Sequence, residues 1–164
     1  MTHLVSEAPG ARHRPQSFGE EVANSVSHGI GFLAALAILP VLVGGALHQG
    51  AASVVGAVVF GVSAALLYCT STLYHAIPTP RTKRVLRVVD HGAIYVLIAG
   101  TYTPFTLGVL RGPWGWTLLG LIWGLAALGI VLKAMGGIRY PRASLALYLA
   151  MGWLVVVAAK PLWQ

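Results

Sequence analysis

Several polar residues that could do chemistry stand in stretches that are otherwise apolar. Ser71 and His75 are four residues apart, which on a helix is one turn along one face, so the two can serve a single site. Asp90 follows fifteen residues after His75, with His91 beside it. If the helices carrying them pack as antiparallel neighbours, His75 and Asp90 lie at similar depth. An imidazole near a carboxylate can bind a metal in its neutral form or hold a water for base chemistry. A third group comprises Glu20, Glu21, Asn24, Ser27 and His28, of which Glu20, Asn24 and Ser27 share a helical face at spacings of four and three. Simpler roles are open for each. Asp90 suits a helix start, where a negative charge meets the positive end of the dipole, and the glutamates suit a first turn. His75 can be an interfacial polar residue, and His91 points about 100 degrees away from Asp90 on a helix. A zinc site also asks for at least three protein ligands, more than His75 and Asp90 provide.

The elements that must position these groups are membrane spans. Of 164 residues, 57% are hydrophobic and 9% charged, against about 25% charged in an ordinary soluble domain. Ionisable groups at membrane depth are costly and tend to face a bundle interior, which is why His75 and Asp90 stand out. The predicted fold is an all-α, polytopic transmembrane helix bundle over residues 18–164, preceded by a flexible arm over residues 1–17. Five spans are expected, at about 28–47, 52–77, 89–110, 114–132 and 143–162. Pro40 falls inside the first, Pro78 and Pro80 stop the second, and Pro104 lies in the third. The basic run Arg81-Thr-Lys-Arg-Val-Leu-Arg87 reads as the connection between spans two and three. The first apolar run begins too far from the start for a secretory signal and is read as a retained span. Cys69 is the single cysteine, so there is no intrachain disulfide, and it suits a small buried position.

Charge sets the orientation. Arg12 and Arg14, then Arg81, Lys83, Arg84 and Arg87, then Lys133, Arg139 and Arg142 fall on one side of the five-span topology, leaving only Arg111 and Lys160 for the other. Cytoplasmic loops carry the excess of Lys and Arg, so the amino terminus is expected in the cytoplasm and the chain in the inner membrane. Trp114, Trp116 and Trp163 fall at outer span ends and Tyr140 in a cytoplasmic connection, as aromatic belts predict. The net charge of +7 is thus a matter of topology, and no nucleic-acid partner is expected. Gly120 and Gly124 make one G-x-x-x-G that would permit a close helix contact.

Three motifs, taken together and in order, carry a family resemblance: Glu20-Glu-Val-Ala-Asn24-Ser-Val-Ser-His28-Gly-Ile-Gly31, Ser71-Thr-Leu-Tyr-His75, and Asp90-His-Gly-Ala-Ile-Tyr95. The chain resembles the hemolysin III proteins, the bacterial branch of the progestin and adiponectin receptor family. Gly100-Thr-Tyr-Thr-Pro-Phe105 adds to the likeness, which runs from about Ser17 onward. The resemblance implies a seven-helix fold of which these are the first five helices. It also implies a zinc ion near the cytoplasmic side, held by a His on the second span and an H-x-x-x-H pair on the seventh. By that correspondence His75 is a zinc ligand, Asp90 holds the metal-bound water, and Ser71 stands one turn before the ligand. No H-x-x-x-H occurs in the sequence, so the expectation is half of a site, completed by a homo-oligomer or by a partner supplying further helices, or left without zinc.

Relatives in the wider superfamily use such a site to hydrolyse lipid amides, which implies a zinc-dependent lipid amide hydrolase acting on membrane lipids. The family's name implies lysis of host cells instead, and a non-enzymatic regulator of membrane composition is a third class.

Overall fold

A computed structural model describes residues 16–110, 112–136 and 141–157. Among them the fold is all helical: α1 Phe18–Ala46, α2 Ala51–Ala76, α3 Pro80–Pro104, α4 Pro113–Gly136 and α5 Pro141–Val157. A short 3₁₀ turn, Leu47–Gln49, joins α1 to α2, and α3 runs on into a wide π turn, Phe105–Val109. Helices α1 to α4 are long and apolar enough to cross a membrane; α5 is a shorter apolar helix over its described residues. The amino-terminal arm through Pro15, with Arg12 and Arg14, lies outside the described residues, as do Arg111, Arg139, Tyr140, Lys160, Trp163 and the expected end of span five.

Two helices begin earlier than hydropathy predicts, because hydropathy finds lipid-soluble runs while caps start helices. Ser17 accepts a hydrogen bond from the Glu20 amide, and Glu20 accepts one from the Ser17 amide, a capping box that starts α1 ten residues before the apolar run at His28. Pro80 stands in the first turn of α3, where its missing N–H costs nothing and its fixed φ suits a helix. The basic run Arg81 to Arg87, expected as a connection, is therefore helical: it forms the first two turns of α3.

Antiparallel packing follows from the pairings. Glu21 meets His75 and Ser25 meets Thr72 between α1 and α2, while Gly56 lies against Pro104 between α2 and α3. A Cβ on Gly56 would sit 2.6 Å from the Pro104 Cα, so only glycine lets the two backbones approach this closely. The buried residues of α2 are all small: Ser53, Gly56, Gly61, Ser63, Ala65, Thr70 and Ser71. Its exposed residues include Val55, Val58, Val62 and Leu66. Small residues inward and branched apolar residues outward is the pattern of a helix packed in lipid, where close approach, rather than water exclusion, holds helices together.

The best-buried core lies farther along the chain, where Tyr95 and Ala99 of α3, Ile122 and Ala126 of α4 and Met151 of α5 meet. Gly129 makes room for the Tyr95 ring against α4. Two tyrosines attach α5 to α3. Tyr148 donates to the carbonyl of His91 at 2.7 Å, and the Tyr102 hydroxyl reaches the carbonyls of Met151 and Gly152 and accepts from the Val155 amide. Gly120 and Gly124 lie on the exposed side of α4, where an added Cβ would meet open space, so their G-x-x-x-G makes no contact among the described residues.

Candidate functional site

Short connections and antiparallel packing bring the start of α1, the end of α2 and the start of α3 to one end of the bundle, together with Lys133 and Arg142. A polar cluster stands there. Glu20 is occupied by the capping box, and Glu21, about 100 degrees further round the helix, faces α2. The Glu21 carboxylate is held on both oxygens: Oε2 lies 2.7 Å from His75 Nδ1, and Oε1 accepts from Lys83 Nζ at 2.6 Å. The His75 side chain is 9% exposed and that of Glu21 20%, so both charge-assisted contacts lie largely out of water and are stronger for it.

One turn deeper, His28 Nδ1 and Ser71 Oγ are 2.5 Å apart, joining α1 to α2 a second time. The His28 and His75 rings meet edge to face with centroids 5.6 Å apart. Tyr68 packs edge-on against His28 and Tyr74 against His75. Lys83 is fixed from two directions, by Glu21 and by the Tyr74 ring, whose centroid lies 5.1 Å from Nζ.

An ionised carboxylate only accepts hydrogen bonds, so the Glu21 contact assigns the proton of a neutral His75 to Nδ1 and leaves the lone pair on Nε2. An imidazole oriented through one nitrogen by a carboxylate, with the other free, is the arrangement found in metal ligands and in general bases alike. Zinc asks for more. Among the described residues no group of three His, Cys, Asp or Glu side chains is placed to hold a metal ion. The described residues do not fit a complete zinc centre.

The structure joins some of the sequence-predicted residues and separates others. His75, His28 and Ser71 come together. The antiparallel register of α2 on α3 puts Asp90 within about one turn of His75 in depth. The half-buried Asp90 makes no hydrogen bond or ion pair to His75 among the described residues, and its carboxylate lies in the electrostatic range of the Tyr148 phenol on α5. Asn24 accepts from Ser27 through its backbone carbonyl, and His91 Nδ1 bonds the carbonyl of Arg87 at 2.6 Å. Glu21 and Lys83 were not singled out by spacing. The signal for Glu21 was nonetheless there: Glu21, Ser25 and His28 follow at i, i+4 and i+7, one face of α1, and each contacts α2.

The family model described as Haemolysin-III related matches residues 16–164. The chain belongs to the hemolysin III family. It is 50% identical over 146 residues to Hemolysin-3 of Bacillus cereus, covering 88% of this chain and 67% of that protein. It is also 50% identical over 145 residues to the Hemolysin-3 homolog of Bacillus subtilis (strain 168), covering 88% and 68%. The chain thus spans about two thirds of the length of these relatives. No solved structure matches it. Family and apolar helices together make it a multi-pass membrane protein of the hemolysin III family.

Proposed function

We propose that the polar cluster is the His–carboxylate half of a hydrolytic site for lipid amides, at the cytoplasmic face of the cell membrane with the amino terminus inside. The observation that carries this reading is the Glu21–His75 contact, buried among apolar helices and reinforced by Lys83. His75 Nε2 takes a proton from a water whose oxygen bonds the amide carbonyl carbon. As the C–N bond breaks, the same proton passes to the leaving amine. Glu21 holds the imidazole and stabilises the imidazolium between those steps, as a carboxylate partner does for a catalytic histidine. His28 and Ser71 set the position of the imidazole from below. Asp90, on α3 within about one turn of His75 in depth, is the proposed holder of the attacking water. Zinc stands apart from this step: were it bound, His75 Nε2 would be one of its ligands instead of the base, and the others would come from a second copy or a partner.

The test is release of free fatty acid from ceramide-like lipids by the purified protein, with metal content measured alongside. Hydrolysis should disappear in His75→Ala and fall in Asp90→Ala. If both variants hydrolyse as the parent does, the reading fails.

A second reading rests on the printed names of the relatives, Hemolysin-3 and Hemolysin-3 homolog, and makes the protein membrane-permeabilising. Leakage of erythrocytes caused by pure protein and unaffected by His75→Ala would favour it over hydrolysis.

A further inference from the structure

Beside the Glu21–His75 cluster, and sharing Tyr74 and Lys83 with it, the connection between α2 and α3 encloses an open cavity of about 660 Å³, lined further by Pro78, Pro80, Arg84, Arg87 and Val88. Pro80, Lys83, Arg84 and Arg87 fall at i, i+3, i+4 and i+7, so the first two turns of α3 gather three cations on one stripe. The charge of Lys83 is met by Glu21. Arg84 and Arg87 have no carboxylate within ion-pair distance among the described residues. Lys133 of α4, itself buried, lies within electrostatic range of Arg87.

Retention of positive charge on the cytoplasmic side accounts for the sign of these residues. It does not account for their gathering on one wall of a cavity whose remaining lining is aromatic and apolar. A soluble anion needs no apolar lining, whereas a phospholipid presents a phosphate joined to a glycerol and acyl chains, at the level where these helices enter the membrane. Guanidinium forks match phosphate oxygens bidentately. We infer that this cavity binds the headgroup phosphate of an anionic phospholipid, with Arg84 and Arg87 on the phosphate and Tyr74, Pro78 and Val88 against the glycerol and upper chains. The inference rests on Arg84 and Arg87, which have no role in the hydrolytic reading, although the cavity shares Tyr74 and Lys83 with that cluster.

The experiment titrates the purified full chain in neutral detergent with short-chain phosphatidylglycerol, counting bound lipid by native mass spectrometry, with phosphatidylcholine and inorganic phosphate as comparisons. Phosphatidylglycerol should bind at one site, and R84Q/R87Q should weaken it roughly thirtyfold, about fivefold per arginine. The control R81Q/R142Q removes the same charge from exposed positions at the same end of the bundle and should bind within about threefold of the parent. R84K/R87K keeps the charge that orients the chain but loses the bidentate forks, and should bind more weakly than the parent and more tightly than R84Q/R87Q. Equal losses in R84Q/R87Q and R81Q/R142Q would reduce the site to diffuse attraction and overturn the inference, as would equal binding of phosphatidylcholine. Displacement of the lipid by millimolar inorganic phosphate would assign the cavity to a soluble anion, and displacement by polyglutamate to an acidic protein; either sinks the lipid assignment.

Discussion

The two halves of this bundle are held together by different means. Where α1, α2 and the start of α3 meet, the contacts are polar: Glu21 to His75 and Lys83, His28 to Ser71, and small residues lining α2. Where α3, α4 and α5 meet, large side chains interlock, with Tyr95, Ile122 and Met151 buried and Tyr102 and Tyr148 bonded to backbone carbonyls. Polar contacts in an apolar surround are strong but leave reactive atoms, such as His75 Nε2, in place. Interlocked side chains and tyrosine–carbonyl bonds tie the tyrosine hydroxyls to backbone groups. The proposed chemistry lies in the first half and the tighter side-chain packing in the second.

Substitutions can break that contrast. The largest effect expected is on activity in the polar half: His75→Ala removes the proposed base and should cost 10²-fold or more in amide hydrolysis, while leaving helical content and detergent stability near the parent's. In the packed half, Ile122→Ala should do the reverse. It opens a cavity at a fully buried position and should destabilise by roughly 2–5 kcal/mol in denaturant unfolding from micelles. Glu21→Gln keeps the shape but replaces the charge that orients His75, and should lower hydrolysis about tenfold to a hundredfold with a small change in stability. Tyr102→Phe removes a hydroxyl that serves three backbone groups of α5 and should cost on the order of 1 kcal/mol, seen as faster proteolysis of α5 without loss of activity. Ser53→Ala should change stability least, within about 0.5 kcal/mol, because its buried hydroxyl has no hydrogen-bond partner to lose. Loss of hydrolysis in Ile122→Ala at unchanged stability would erase the distinction between the halves.

Part of the polar half was readable from spacing. Ser71 and His75 at i, i+4 lie on one face because a helix turns every ~3.6 residues, whatever packs against it. The Gly100-Thr-Tyr-Thr-Pro-Phe105 segment looked distinctive, and its residues prove structural: Tyr102 holds α5, Thr103 accepts from Trp123, and Pro104 packs on Gly56 before the π turn. Its spacing carried no sign of that role, since every partner lies on another helix.

By itself the sequence determined that the chain is a membrane protein, that its spans alternate, that its bases favour one end, and that it belongs with the hemolysin III proteins. These follow from local properties: hydropathy over a run long enough to span lipid, the period of the helix, and short ordered motifs. Only the tertiary structure decided that Glu21 and not Glu20 reaches His75, that Lys83 closes the pair from a segment expected to be a connection, and that Asp90 makes no hydrogen bond or ion pair to His75 among the described residues. Adjacent residues on a helix differ by about 100 degrees, so which of two neighbouring glutamates meets a partner depends on the rotation and register of two whole helices. Those are settled by glycine contacts far from the site, such as Gly56 on Pro104, and by helix starts beside it.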